Sequence, residues 1–206
     1  METIVLKFGG TSVGSTDRIS AVADLIQVAS KEAFPVVVVS AMSGETNRLI
    51  DLAQSFGSEP NKREFDALVS TGEKVSASLV AIALNHLGLK AKSLSAAQFG
   101  MKTTSHFSRA KILDMNNDIL FQTIEEGYIP IITGFQGITA DGDTTTMGRG
   151  GSDTTAVAIA ASIKAKRCDI YTDVDGIYTT DPRIVPEAKK LDSISMEEML
   201  ELSGQG

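Results

Sequence analysis

The sequence predicts an α/β fold built on a mainly parallel sheet. Short β-branched runs alternate with longer stretches of helical periodicity, the pattern of βαβ units. The run Val36-Val37-Val38-Val39 is apolar at every position, as expected of a strand covered on both faces. The first two strand candidates also end in loops of glycine and other small residues. At 206 residues the chain could hold one large α/β domain or two small ones. With no internal repeat, low-complexity tract or linker, a single domain over 1–206 is the reading.

In order, Thr3 to Phe8 is expected to be a buried strand. A helix follows from about Asp17 to Lys31, with Ile19, Val22, Ala23, Leu25, Ile26 and Ala29 at helical spacing and Ser15 or Thr16 as its N-cap. Pro35 introduces the valine strand, which ends in Ser40-Ala41-Met42-Ser43-Gly44. A helix is expected from about Thr46 to Phe56, a turn over Gly57 to Asn61, and one long helical region from Lys62 to Leu87. Lys90 to Leu94 and Ile129 to Thr133 read as strands, and Asn117 to Glu126 as the helix between them. Gly134 to Gly151, rich in Gly, Thr and Asp, reads as a loop or an excursion of short hairpins. Ser152 to Lys164 reads as an amphipathic helix and Cys168 to Thr172 as the strand after it. Ser195-Met196-Glu197-Glu198 opens a last helix to Leu202 with a capping-box pattern.

Composition narrows the function. The net charge of −7 supplies no overall basic field for a phosphate backbone, and with no Trp and 5% aromatics base-stacking platforms are disfavoured, so no nucleic-acid partner is expected. One cysteine, Cys168, cannot form an internal disulfide, and with only His86 and His106 beside it the usual zinc patterns are missing. Lys7 and the glycines after it interrupt the N-terminal apolar run too early for a signal peptide, and no apolar run reaches the length of a membrane span. A soluble, cytoplasmic protein without a membrane partner is expected.

Three segments carry chemistry. In Lys7-Phe8-Gly9-Gly10-Thr11-Ser12-Val13 a lysine leaves a buried strand ahead of two glycines and a helix. Glycines let backbone N–H groups approach an anion, and the lysine adds a point charge for a phosphoryl group. The lysine precedes the glycines, so this is not a Walker A loop. Taken alone, the segment reads more readily as an ordinary βα turn with Lys7 a solvated rim residue. Gly148-Arg149-Gly150-Gly151-Ser152-Asp153 combines a glycine nest, a guanidinium suited to a carboxylate, and an acid at a helix entrance where it could be only an N-cap. A long cation on bare backbone covers no apolar surface, so Arg149 reads as a ligand group. The stretch from Tyr171 to Arg183 gathers Thr172, Asp173, Tyr178 and Arg183 in a turn-rich loop, which alone could be merely hydrophilic. Ser40 and Thr46 follow the second strand. Glu73 lies within the long helical region, facing either a substrate ammonium or solvent. His86 suits a helix end without a catalytic part.

Together these segments resemble the aspartate kinases, a branch of the amino-acid kinase family. The opening from Lys7 to Val13, Ser70-Thr71-Gly72-Glu73, Gly134-Phe135-Gln136-Gly137, the Gly148 to Asp153 loop and the Thr172 to Arg183 segment occur in that branch's order. The resemblance implies a three-layer αβα sandwich around a mainly parallel sheet, with ligands over the strands' C-terminal ends. It implies transfer of the ATP γ-phosphoryl group to the β-carboxylate of L-aspartate, giving 4-phospho-L-aspartate, the first step of lysine, threonine and methionine biosynthesis. Lys7 and Asp153 would be catalytic. Lys7, Gly9, Gly10, Thr172, Asp173, Tyr178 and Arg183 would bind ATP, and Ser40, Thr46, Glu73, Phe135, Arg149 and Ser152 would bind aspartate. Mg²⁺ is expected with ATP, with no dedicated protein ligand named.

Family members continue past a Ser-x-Gly segment into a stretch with a second lysine, and most add regulatory domains. The chain is therefore expected to be truncated at its C-terminus, and weakly active or inactive as it stands. Sequence leaves the oligomeric state open, a homo-oligomer included. A sister kinase for another acidic amino acid or a nucleoside monophosphate, and a non-catalytic nucleotide sensor, are the competing readings.

Overall fold

The computed structural model of the chain describes residues 2–173, 176–180 and 184–195. Packing divides it into a large unit, Met1–Thr172, and a small one, Asp173–Gly206. In the large unit the chain runs β1 (Thr3–Phe8), α1 (Thr16–Ala29), β2 (Phe34–Val39), α2 (Glu45–Gln54), α3 (Lys62–Val69), α4 (Thr71–His86), β3 (Ala91–Leu94) and α5 (Ala96–Phe99). It continues through β4 (Met101–Thr103), β5 (Ile112–Met115), α6 (Asp118–Glu125), β6 (Ile129–Thr133), β7 (Gln136–Ile138), β8 (Thr144–Thr146), α7 (Gly151–Ser162) and β9 (Cys168–Tyr171). The small unit holds an antiparallel pair, β10 (Ile177–Tyr178) with β11 (Lys190–Leu191).

The core of the large unit is a five-stranded sheet in the order β3-β6-β2-β1-β9, every pair parallel. Side chains alternate between its faces with the period of two that a strand imposes. Ile4, Leu6, Phe8, Val37, Val39 and Ile131 pack with α1 and α4 on one face. Val5, Val36, Val38 and Ile132 pack with α5, α6 and α7 on the other. Both faces are sealed, which is why the strand sequences are apolar at nearly every position. Each fully buried aliphatic side chain contributes roughly 1.5–3 kcal/mol. The result is the α/β arrangement that the alternating pattern implies, in the three layers that the family resemblance implies.

Pro35 sits inside a central strand without breaking the sheet. Phe34 donates its N–H to Glu2 on the β1 side, so the missing N–H of Pro35 faces β6, whose pairing with β2 begins only at Val37.

A second sheet, β5-β4-β7-β8, forms the hairpin excursion expected over Gly134 to Gly151 together with two strands the sequence reading missed. Those two, β4 and β5, have three and four residues, too few to show a period. The preceding α5 is also short, although its capping box between Ser95 and Gln98 is a readable signal. Ser15 is the N-cap of α1, its hydroxyl accepting from the Arg18 N–H.

Two expectations need correction. The helical region from Lys62 is two helices, interrupted at Ser70, where the Gln136 side chain takes the Ser70 carbonyl at 3.0 Å. The combined run 62–86 is long and apolar enough to cross a membrane by length and composition alone, although it holds no unbroken apolar run of that length. Half of that apolar window is buried against the fold, as in a core helix. Finally, α7 does not segregate apolar from polar residues: Ser152 and Thr155 are buried while Val157 is half exposed. Its buried residues are Gly151, Ser152, Thr155, Ala156 and Ile159, so the first turns are small or hydroxylic and the apolar contact comes later in the helix. The helix expected over Ser195 to Leu202 lies, after its first residue, outside the described residues.

Ile131 lies in β6 between two strands and is fully buried. Ile131→Ala is expected to lower unfolding free energy by about 2–5 kcal/mol. Urea melts should show a lower midpoint at unchanged slope.

Candidate active site

Lys7 occupies the next-to-last position of β1. Its parity matches Val5, so its side chain emerges on the face that α7 covers. There its ammonium lies 2.6 Å from the Asp153 carboxylate in the first turn of α7. Lys7 is only 7% exposed. A buried ammonium requires a counter-charge, and Asp153 supplies it. Asp153 is thus not simply a helix cap: α7 is capped by Gly150, in the left-handed region at φ 76°, with no side-chain cap bond.

The loops at the C-terminal ends of β1, β2 and β6 close around this ion pair. Gly10 lets the first two meet, since a Cβ there would lie 2.8 Å from the Ala41 carbonyl oxygen, and its own carbonyl accepts from the Ser43 N–H at 3.1 Å. Gly134 admits α7 to the end of β6, where a Cβ would fall 2.7 Å from the Ser152 hydroxyl. Phe135, next in line, has φ 70°, a costly conformation for an aromatic residue of roughly 1–3 kcal/mol. Two bonds hold it: its N–H donates to Thr155 Oγ1 at 3.2 Å, and its carbonyl accepts from the Met147 N–H at 2.9 Å. Between these loops lies a cleft of about 370 Å³.

Lys7, Gly10, Ser40, Thr46, Glu73, Phe135, Arg149, Ser152 and Asp153 all line that cleft. The first turns of α2 and α7 border it as well, bringing two helix N-termini, which favour negative charge, to one hollow. Arg149 is exposed between two left-handed glycines, Gly148 and Gly150. It forms no ion pair among the described residues. Opposite in charge is Glu73, 3% exposed in α4. Its Oε1 accepts from the Ala41 N–H at 3.2 Å, while Oε2 is buried without a partner among the described residues. Burial pushes the Glu73 carboxyl up from the ordinary 4.5 to about 7, against the opposing pull of the backbone N–H groups. The site therefore holds a cation looking for an anion and an acid whose second oxygen lacks a donor.

The profile of the amino acid kinase family matches residues 2–206. The chain belongs to the amino acid kinase family. The chain is 50% identical over its whole length to an aspartate kinase of Pseudomonas putida and 51% identical to an aspartokinase of Geobacillus stearothermophilus. It spans about half the length of those curated relatives. Among solved structures, Escherichia coli aspartokinase III in complex with aspartate and ADP superposes with a TM-score of 0.87 at 31% identity, covering all of this chain and 57% of that one. Aspartate kinase from Synechocystis gives 0.83 at 48% identity, covering 98% of this chain and 33% of that one.

Within this amino acid kinase fold, the sequence-selected residues of the large unit converge, with two qualifications. Gly9 lies beside the cleft: its N–H donates to the Tyr171 carbonyl at 3.1 Å, and a Cβ there would stand 3.6 Å from the Lys7 ammonium. Thr172 follows β9 and is exposed. In the small unit Asp173 is exposed and Tyr178 belongs to the β10–β11 pair. Arg183 lies outside the described residues. Sequence reasoning missed the backbone of Ala41 to Gly44 as cleft wall, and it missed Asp66. The signal for Asp66 was its place three residues before Val69, on the one face of α3 that is buried.

The position of Glu73 has a pH signature. Between about pH 4.5 and 7 the folded protein holds a proton on Glu73 that the unfolded chain has released, so stability falls as pH rises through that window and levels off above it. Chemical denaturation of the ligand-free protein is expected to show a loss of up to about 3 kcal/mol from this group, absent in Glu73→Gln.

Proposed function

We propose that this chain forms the catalytic domain of an ATP-dependent kinase that phosphorylates the side-chain carboxylate of L-aspartate. The observation that carries the reading is the gathering of Lys7, Arg149 and Glu73, three charges of differing sign and exposure, in one cleft with two helix N-termini. The pattern suits a zwitterionic acceptor beside a polyphosphate.

In this reading Arg149 takes the α-carboxylate through its paired N–H groups, and the free Oε2 of Glu73 takes the α-ammonium. Ser40, Thr46, Ser152 and the Phe135 backbone complete the aspartate site. The acceptor carboxylate is ionised at neutral pH, so no general base is required. One of its oxygens attacks the γ-phosphorus in line, the bond from that phosphorus to the bridging oxygen breaks, and ADP leaves with the electron pair, giving a mixed anhydride. Negative charge on the transferring group is met by the Lys7 ammonium and the backbone N–H at Gly10, the Gly9 N–H being taken by the Tyr171 carbonyl, while Asp153 fixes where that ammonium sits. Thr172, Asp173, Tyr178 and Arg183 are assigned to the nucleotide on motif alone. Among the described residues no group of three His, Cys, Asp or Glu side chains gathers to hold a metal. Mg²⁺, which keeps several waters and binds through substrate phosphates, is assigned to phosphate oxygens and water, and no step runs through a protein-bound ion.

Trapping the product of ATP and L-aspartate as the hydroxamate tests the reading in the intact protein. Hydroxamate from aspartate, and far less from glutamate, is expected; none from aspartate would overturn it. Lys7→Ala should lower kcat by about 10²–10³ while nucleotide affinity changes much less. A protein that only binds nucleotide would show the reverse. Aspartate affinity is expected to weaken by up to about tenfold per pH unit below 7, because binding the ammonium must displace the proton on Glu73, and Glu73→Gln should abolish that dependence.

A further inference from the structure

Outside the cleft, the most heavily engaged buried acid is Asp66, fully buried on α3 and unused by the mechanism above. Its Oδ2 accepts from the backbone N–H groups of Ser108 and Thr146 at 2.8 and 2.7 Å. Its Oδ1 accepts from the hydroxyls of the same two residues at 3.0 Å each. One carboxylate thus ties α3 to two segments 42 and 80 residues away. The Ala110 N–H adds a bond to the Thr146 carbonyl at 2.9 Å, joining those two segments to each other.

Thr146 is three residues before Arg149. Between them lie Met147, pinned to the Phe135 carbonyl, and Gly148, whose carbonyl accepts from the Gly151 N–H. A Cβ on Gly148 would lie 3.2 Å from the Ser108 carbonyl oxygen, so the segment held by Asp66 also abuts the arginine loop. The Arg149 side chain has no partner among the described residues to fix it. Its position is inherited from its backbone, between two glycines that resist little. We infer that Asp66 is a positioning residue for substrate recognition: by clamping Thr146 and Ser108 it sets where the Arg149 guanidinium meets the acceptor's α-carboxylate. This deepens the aspartate kinase reading and rests on it.

The donor pattern makes the test sharp. Asparagine at position 66 can turn its carbonyl oxygen to the two N–H groups and its amide to the two hydroxyls, which rotate to accept. Alanine leaves all four donors without a partner. A second tie from α3, Arg63 to Asp143 at 2.7 Å, also reaches the β7–β8 hairpin and does not involve Asp66. In the intact protein, Asp66→Ala is expected to raise the KM for aspartate by about tenfold or more, with the KM for ATP changed less than about twofold. Asp66→Asn should restore the wild-type KM, and Asp66→Ala combined with Arg149→Ala should cost no more than Arg149→Ala alone. A merely structural role would lower kcat through a smaller active fraction and leave both KM values alone, and that outcome overturns the inference.

Hydrogen exchange provides a readout independent of the substrate. Amides of residues 148–151 should exchange faster in Asp66→Ala and at the wild-type rate in Asp66→Asn. Unchanged exchange there in Asp66→Ala overturns the clamp whatever the enzyme phosphorylates. If Asp66→Ala does not fold, Thr146→Val, which removes one hydroxyl donor and keeps both N–H bonds, is expected to raise the aspartate KM by a smaller factor. No rise overturns the clamp. Failure of wild-type protein to phosphorylate aspartate would count against the function and leave the exchange test standing.

Discussion

An ammonium group near the end of a sheet strand, with most of its surface removed from water, dictates much of what surrounds it. Lys7 can sit there only beside a fixed negative charge, and Asp153 provides that charge from another element of the fold. To bring it within 2.6 Å, the first turn of α7 must lie across the C-terminal end of β1. That demand explains the glycine at 134, where any side chain would strike Ser152, and the glycine-rich turn leading into α7. It also fits the small buried residues of the first turn of α7, Gly151 and Ser152, which precede the core residues Ala156 and Ile159.

The same geometry leaves the cleft electrically unfinished. Lys7 is matched by Asp153, but Arg149 stands exposed and unpaired among the described residues, and Glu73 is buried with one oxygen unused. Unpaired buried oxygens and strained backbone, such as Phe135 at φ 70°, lower stability and persist where surrounding structure enforces them. Here both occur on the wall of one hollow, so their cost falls where a ligand can repay it.

Much of this was legible beforehand, for physical reasons. A doubly covered parallel strand must be apolar throughout, so β1, β2 and β6 announced themselves. Glycine loops before helices are needed wherever backbone must approach an anion, so the loops carrying Lys7 and Arg149 stood out. The small sheet was less visible because its strands, Met101–Thr103 and Ile112–Met115, are too short for a period to emerge and are stabilised by partners distant in sequence. The break at Ser70 was not visible as a pattern either. There the Ser70 carbonyl accepts from Gln136, a side chain 66 residues away, which local sequence does not reveal. Asp66 has the same character: its residue type reads as a solvated helix acid, and only the fold delivers the four donors that make it a clamp.

The central claim is that one hollow at the ends of β1, β2 and β6 receives both the acceptor and the transferring phosphoryl group. A crystal structure of the intact protein with ADP and L-aspartate tests it most directly. The account predicts the amino acid's α-carboxylate on Arg149, its α-ammonium on Glu73, and its side-chain carboxylate turned toward Lys7 and the nucleotide. Aspartate bound away from Lys7, or with its two carboxylates exchanged, would contradict it.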